Sequence, residues 1–199
     1  MTAWAKRDEL FVIWAAARAE AERRRGVDVR PADAAETAEA WRTALTGEGP
    51  TALVLSRQAL PPLPPTGAAG WMERDGGRLV HDAPEPDVDL LASGSEVALA
   101  LGAAELLARE GVAARVWSVP CRETFLRRRT ALSAPAPKTV AVEAGTTSGW
   151  RGVADAVVGV DRFGASGPGW AVAAHLDLTV DTVARAARSA RSATPPMGA

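Results

Sequence analysis

The sequence predicts a three-layer α/β fold with a mostly parallel sheet, in which one edge strand can be antiparallel. Short apolar runs, typical of buried strands, alternate along the second half of the chain with longer segments of helical periodicity. A smaller unit of two strands around one helix precedes this sheet, and a proline-rich stretch separates the two. We therefore expect the main sheet to follow a partial βαβ unit.

The composition is that of a globular protein. The chain has 199 residues, of which 47% are hydrophobic and 24% are charged, and its formal net charge is −1. This charge balance gives no reason to expect a nucleic-acid partner, and the apolar run near the start is too short to cross a membrane. The single cysteine, Cys121, excludes an internal disulfide and a cysteine-based metal site. It is compatible with a reducing cytoplasm, where we expect the protein.

A first helix is predicted over residues 8–25, where Gly26 could end it. Its apolar residues fall on one face, namely Leu10, Ile13, Trp14 and Ala17.

The partial βαβ unit follows this helix. Residues 27–29 and 51–56 are predicted strands, and the helix between them runs to Leu45. Asp33 precedes that helix and Glu36 comes three residues later, which is a capping-box pattern. Its more apolar side carries Ala34, Thr37, Ala38, Trp41 and Leu45.

The stretch 61–70, PPLPPTGAAG, favours an extended linker because its four prolines cannot continue a regular element. We place a domain boundary there; a long surface loop within a single domain is the alternative.

The second half repeats the strand–helix rhythm. Its predicted strands cover residues 87–93, 112–120, 138–144 and 156–160, and its predicted helices cover residues 95–111, 122–132 and 181–190. Ser95 is the expected cap of the first of these helices and Gly111 its expected end. The last residues are expected to form a frayed tail.

Four polar groups follow predicted strands, at the sheet edge where α/β proteins bind ligands. They are Ser56-Arg57-Gln58, Ser93-Gly94-Ser95-Glu96, the segment from Glu143 to Thr147, and the segment from Asp161 to Gly164. Arg57 follows its strand without a gap, and a guanidinium held at a rigid strand end suits a phosphate or carboxylate. Spacing alone, however, favours a surface arginine or a structural ion pair.

The other groups have simpler interpretations. Ser95 is more typical of a cap than of an anion cradle, and no histidine or second carboxylate lies near Glu143 in sequence to support acid–base work. Asp161 and Arg162 could pair and fix a turn, with Phe163 in the core. Cys121 has no partners for nucleophilic catalysis. The residues therefore indicate no catalytic group, no cofactor contact and no metal ligand.

Six blocks in order give a specific resemblance. They are RPADAAETAEAW, ALVLSRQALP, DLLASGSEVALAL, SVPCRETF, EAGTTSGW and GVDRFGASGPG. Together they resemble the last third of transketolase over roughly residues 28–190. The resemblance implies the domain ranges 1–27 (an N-terminal helical segment outside the family), 28–60 (remnant of a pyrimidine-binding domain), 61–86 (linker), 87–191 (transketolase C-terminal domain) and 192–199 (disordered tail).

The resemblance also implies a function. The family uses thiamine diphosphate and Mg²⁺ to move a two-carbon ketol unit between sugar phosphates in the pentose phosphate pathway. Its substrate-phosphate arginine in the S-R-Q block falls on Arg57. The motifs that hold the cofactor have no counterpart in this sequence, so this chain alone is expected to bind no cofactor.

Three interpretations follow from the resemblance. The chain could complete a split enzyme with an N-terminal transketolase subunit, and could itself form a homodimer. It could be a non-catalytic interaction or dimerisation module. It could also be the remnant of a frameshifted gene. Residues 2–8 resemble nothing in the family, but codons that encode them, read in a neighbouring frame, give a segment that resembles a transketolase active site, so roughly residues 1–25 could be translated out of the ancestral frame.

Overall fold

The computed structural model describes residues 27–65, 69–130 and 137–192. The helix predicted over 8–25 and the last seven residues of the predicted tail lie outside these ranges. Among the described residues, no helix has the length and apolar character needed to span a membrane.

The partial βαβ unit is present. Strand β1 covers Val27–Val29, helix α1 covers Ala34–Thr46 and strand β2 covers Thr51–Leu53. The two strands pair in parallel, with Val27 opposite Thr51. Strand β2 ends three residues earlier than predicted, so residues 54–56 are irregular.

A variant of the predicted capping box forms at the start of α1, since the return bond goes to the residue before the cap and not to the cap itself. The Glu36 N–H donates to Asp33 Oδ1 at 2.7 Å. In return, Glu36 Oε2 accepts from the Ala32 N–H at 2.9 Å, one residue before the cap. The Glu36 N–H would otherwise lack an intrahelical partner, so the sequence pattern correctly locates the helix start.

Helix α1 has an unusual orientation, because its polar side is the buried one. Its buried residues are Glu36, Glu39, Ala40 and Thr43. The more apolar side faces solvent, and we call its exposed residues, Ala34, Ala38, Trp41 and Leu45, the α1 stripe. Trp41 is 53% exposed and Leu45 is 80% exposed. A surface helix normally buries such a side against its own fold.

The main sheet has five strands in the order β3-β5-β4-β6-β7. Its strands are β3 Arg78–His81, β4 Val88–Ala92, β5 Ala114–Ser118, β6 Lys138–Val142 and β7 Ala156–Val158. All pairs are parallel except β3 with β5, which is antiparallel. The predicted fold class is therefore confirmed, including the antiparallel edge strand.

Helices cover both faces of this sheet. The remaining helices are α2 Trp71–Asp75, α3 Glu96–Arg109, α4 Arg122–Thr130, α5 Gly169–His175 and α6 Val180–Ser192, with a 3-10 helix at Thr147–Trp150. Leu90 on β4 belongs to the core formed with α3 and α6, whereas its neighbour Leu91 packs with Phe125 and Trp150 on the other face. This alternation along one strand produces the three layers.

Two details depart from the sequence predictions. Helix α2 and strand β3 lie within residues 61–86, the range assigned to the linker, and β3 belongs to the main sheet. Ser95 makes no side-chain cap, because its hydroxyl lies 2.6 Å from Glu96 Oε1 instead. Gly111 does follow the end of α3, with φ at +76°.

Candidate functional site

The carboxyl ends of β4 and β6 bring together two of the predicted strand-end groups. Ser93 and Glu96 follow β4, and Glu143 follows β6, the strand paired with β4. All three residues are buried. Sheets of α/β proteins bind ligands at this edge, which we call the carboxyl-end edge. The residues found there therefore decide whether the domain has a binding site.

Arg30 occupies this edge. Its Nη2 lies 3.2 Å from Glu96 Oε2, and its Nη1 contacts Glu143 Oε1. The backbone of Arg30 is fixed as well, since its N–H donates to Pro120 O at 2.9 Å and its carbonyl accepts from Gly94 N–H at 3.0 Å. A residue from the βαβ unit therefore pairs with both carboxylates at this edge of the main sheet.

The space around this ion pair is almost filled. Trp150 Nε1 lies 3.4 Å from the second oxygen of Glu143. The cavity that these side chains leave, next to Ser93 and Pro120, has a volume of about 20 Å³. Such a cavity has room for about one water molecule. Glu143 is thus a structural carboxylate, and an acid–base role gains no support.

Sequence reasoning missed Arg30. In the RPAD block, the sequence pattern indicated only that the aspartate caps a helix. The acidic partners of Arg30 lie far along the chain, and Glu96 is 66 residues away. The local signal was the arginine placed between a buried strand and a proline. Such a position fixes the backbone but does not reveal the ion pair.

Arg57 lies apart from this cluster. It is exposed, and it follows the irregular residues 54–56 instead of a strand end. Its two neighbours, Ser56 and Gln58, line a groove of about 300 Å³ together with Asp33 and Thr37 from the start of α1. The prediction that a rigid strand end holds Arg57 is therefore wrong, because β2 stops at Leu53. The predicted phosphate contact remains a proposal.

The segment 161–170 differs from its predicted arrangement. Asp161 and Arg162 do not pair with each other: Asp161 accepts hydrogen bonds from Thr147 and Arg151, while Arg162 lies 3.7 Å from Asp177. Phe163 is 99% exposed, so its predicted place in the core is wrong. Hydrogen bonds from Thr147 and Arg151 hold the start of the turn at Asp161, while the aromatic ring of Phe163 faces solvent.

The electrostatics of this turn are clear at Asp161. The hydroxyl and N–H of Thr147 donate to its carboxylate at 2.7 and 2.8 Å. These bonds, followed by the Arg151 guanidinium, hold the pKa of Asp161 below its ordinary value. A charged carboxylate therefore pins the turn to the 3-10 helix.

A second buried ion pair joins helix α1 of the βαβ unit to the main sheet. Glu36 of α1 is completely buried, and its Oε1 accepts from Arg78 Nε of β3 at 3.0 Å. Burial raises the pKa of Glu36, and the hydrogen bond from the Ala32 N–H, with the Arg78 charge, offsets part of the rise.

Cys121 lies in the small core between the sheets. It is a free thiol packed with Val29, Ala40 and Met72. Burial raises the pKa of this thiol, which makes it less nucleophilic. The thiol therefore lies in the core.

Comparison with known proteins identifies the fold's relatives. Residues 76–179 match the family model described as the transketolase-like C-terminal domain. The plasmid-encoded transketolase of Cupriavidus necator is 47% identical over 167 residues, an alignment that covers 80% of this chain and 25% of that protein. The chain thus spans about a quarter of the length of the curated relatives that it matches.

Solved structures agree with this assignment. The transketolase from Leishmania mexicana superposes with a TM-score of 0.75 at 37% identity, covering 87% of this chain and 26% of that one. A structure described as a split-gene transketolase, an inactive β4 tetramer, has a TM-score of 0.70 at 23% identity and covers 83% of this chain and 58% of that one. At this identity the second likeness concerns the fold alone.

Proposed function

The chain belongs to the transketolase family, and we propose that it contributes to two-carbon ketol transfer between sugar phosphates only together with a partner chain. The observation that supports the proposal is the match itself: the chain is 47% identical to a transketolase over 167 residues, a region that is 25% of that protein. The part that it covers corresponds to the C-terminal domain. The remaining parts of the enzyme would come from the partner, in the cytoplasm and the pentose phosphate pathway.

The described residues do not fit thiamine diphosphate with its magnesium ion. The carboxyl-end edge of the main sheet is filled by Arg30, which pairs with both carboxylates that a cation would otherwise bind there. The cavity left there, about 20 Å³, admits no diphosphate. Within residues 27–65, 69–130 and 137–192, no cluster of three metal-ligating side chains occurs. We therefore propose that the cofactor site lies on the partner chain.

The role proposed for this chain's own residues is substrate binding by Arg57. Its exposed guanidinium can form two parallel hydrogen bonds to a phosphate group. The adjacent groove, of about 300 Å³, gives space beside it for a small polar molecule. A phosphate contact at this position would hold the sugar phosphate while the chemistry proceeds on the partner.

The solved split-gene transketolase supports the idea of a family member divided between chains. Its description names an inactive β4 tetramer, which is said of that protein. For this chain the corresponding proposals are that it is inactive alone and that it can self-associate.

Reconstitution tests the proposal. The purified chain is mixed with a Cupriavidus necator transketolase truncated before the matching segment, with thiamine diphosphate and Mg²⁺, and ketol transfer from a ketose phosphate to an aldose phosphate is measured. We expect transfer only from the mixture. In the mixture, Arg57→Ala should raise KM for the phosphorylated substrates about tenfold or more, and Arg57→Lys should raise it less.

The outcomes separate the alternatives. Transfer by the chain alone would overturn the proposal. A stable complex without transfer would favour the non-catalytic interaction module, and the absence of both complex and transfer would favour a gene remnant. An unchanged KM in the Arg57→Ala mixture would remove the phosphate role but not the need for a partner.

A further inference from the structure

The α1 stripe is an apolar surface that is largely exposed in the described part of the chain. Trp41 and Leu45 are 53% and 80% exposed. Every charged side chain of this helix is at least partly buried, and each one has an ion-pair partner among the described residues. The orientation of α1 is therefore fixed, and its exposed side presents apolar groups with no charge among them. Such a side on a surface helix is typical of a protein contact.

Strand β2 of the same unit has an unpaired edge. Among the described residues, β1 and β2 pair only with each other. The Val54 N–H, directly after β2, donates to Val29 O at 2.9 Å, so the even-numbered residues of β2 face β1. Thr51 and Leu53 therefore direct their backbone N–H and C=O groups away from β1. Because parallel strands normally lie inside larger, covered sheets, this edge is a place for another strand.

A groove connects the α1 stripe with the chain that follows β2. Ala34, the first residue of the stripe, and Leu55 both line the groove of about 300 Å³ beside Arg57. Leu55 is 51% exposed. Ser56 and Gln58, the two neighbours of Arg57, line the same groove. One continuous surface therefore extends from the stripe to the residues around Arg57.

We propose that the α1 stripe and the free edge of β2 form the docking surface for the partner chain. The partner adds a parallel strand at β2 and covers the stripe with an uncharged, apolar face of its own α/β domain. This inference rests on the proposed function, which supplies the need for a second chain. The docked partner lies beside Arg57, so the groove for the sugar phosphate is closed between the two chains.

A second copy of this chain fits the surface less well. A two-fold axis that pairs two copies of β2 through the same edge makes the strands antiparallel, whereas neighbouring strands in sheets built from βαβ units are normally parallel. The stripe alone, about 20 Å long and 10 Å wide, offers about 200 Å², and each partner of a stable complex buries about 800 Å². A stable complex must therefore extend over the β2 edge and the groove, as an added strand does.

Binding measurements with single-residue variants test this surface. The truncated Cupriavidus necator transketolase is titrated with the wild-type chain and with Trp41→Asp, and Kd is measured by sedimentation. We expect Trp41→Asp to weaken binding about a hundredfold, because it places a charge against an apolar face. Trp170→Asp is the matched control, since Trp170 is 79% exposed on a different segment, and its Kd should equal that of the wild type. Unchanged urea midpoints show that both variants are folded.

Amide hydrogen exchange tests the added strand separately. The N–H groups of Thr51 and Leu53 should exchange about ten times more slowly in the complex than in the free chain, because they gain strand partners. The Val54 N–H already donates to Val29 O and is the internal control, which should change less.

The outcomes separate the docking surface from the ketol-transfer role. A complex that depends on Trp41 but transfers no ketol unit would support the docking surface and remove the proposed function alone. Full binding and transfer by Trp41→Asp would overturn the docking surface alone. Equal losses in Trp41→Asp and Trp170→Asp, unchanged exchange at Thr51 and Leu53, or no complex at all would also overturn it. So would a dimer of the single chain that Trp41→Asp dissociates.

Discussion

The guanidinium of Arg30 lies 3.2 Å from the carboxylate of Glu96 and also contacts Glu143. Arg30 belongs to the βαβ unit, and both acids follow strands of the main sheet. Residues at the carboxyl-end edge of the main sheet therefore bind the βαβ unit, which precedes this sheet in the chain. The βαβ unit and the C-terminal domain form one structural block through this contact.

Arg30→Ala should lower the free energy of unfolding by about 3 kcal/mol, because it leaves two buried carboxylates without a cation. The side chains of Glu96 and Glu143 are only 5% and 10% exposed. Urea unfolding measures the loss. The control is Arg188→Ala, whose ion pair with Glu110 is exposed and should contribute less than about 1 kcal/mol. Equal losses in the two variants would show that Arg30 does not hold the junction.

Glu36 should make the protein less stable as the pH rises. Burial raises its pKa above 4.5 in the folded state, so the folded protein binds the proton more tightly than the unfolded chain. The resulting stabilisation is complete below pH 4.5 and is lost as the pH rises through the raised pKa. Glu36→Gln removes this titration while keeping an acceptor for the Ala32 N–H.

The measurement is the difference in unfolding free energy between the wild type and Glu36→Gln at several pH values. The other acidic groups titrate in both proteins, so their contributions cancel in this difference. The wild type should lose stability relative to the variant as the pH increases from about 4 to 7. A difference that moves in the opposite direction would mean that Arg78 lowers the Glu36 pKa more than burial raises it.

Gly76 should not tolerate a side chain. Its φ is +72°, and a Cβ there would lie 2.5 Å from the carbonyl oxygen of Cys121. Gly111 is a matched control, with φ at +76° and no atom within 4 Å of such a Cβ. Gly111→Ala should cost about 1–2 kcal/mol from backbone strain alone. Gly76→Ala should cost more than about 4 kcal/mol or prevent folding, and a similar loss in both variants would be inconsistent with the tight packing of α2 on α4.

Thr147→Val should raise the pKa of Asp161 towards its ordinary value. The hydroxyl of Thr147 is the largest cause of the lowered pKa, ahead of the Arg151 guanidinium. Carboxyl carbon shifts in an NMR titration report the pKa directly. Arg151→Ala should produce the smaller rise. If Arg151→Ala has the larger effect, the anchor of the 161–170 turn is the ion pair and not the threonine.

The sequence predicted those parts of the fold that depend on local pattern. The capping box at Asp33 and Glu36 and the buried strand around Leu90 follow from the spacing of a few neighbouring residues. Strand β3 was not predicted, because the short run RLVH is neither apolar nor long and pairs with a strand about forty residues later.

The candidate sites were harder to predict because they depend on distant partners. Arg78 pairs with Glu36 across 42 residues, which buries the polar side of α1 and leaves Trp41 and Leu45 in solvent. Periodicity identifies the apolar side of a helix but cannot show what covers it. Phe163 illustrates the same limit, since its aromatic character suggested the core although the ring is exposed.

The central claim is that this chain keeps a scaffold domain of a transketolase and leaves the cofactor to another chain. Calorimetric titration of thiamine diphosphate with Mg²⁺ into the purified single chain tests it most directly. We predict no saturable binding at cofactor concentrations that saturate a full-length relative measured in parallel. Stoichiometric, saturable binding by the single chain would contradict the account.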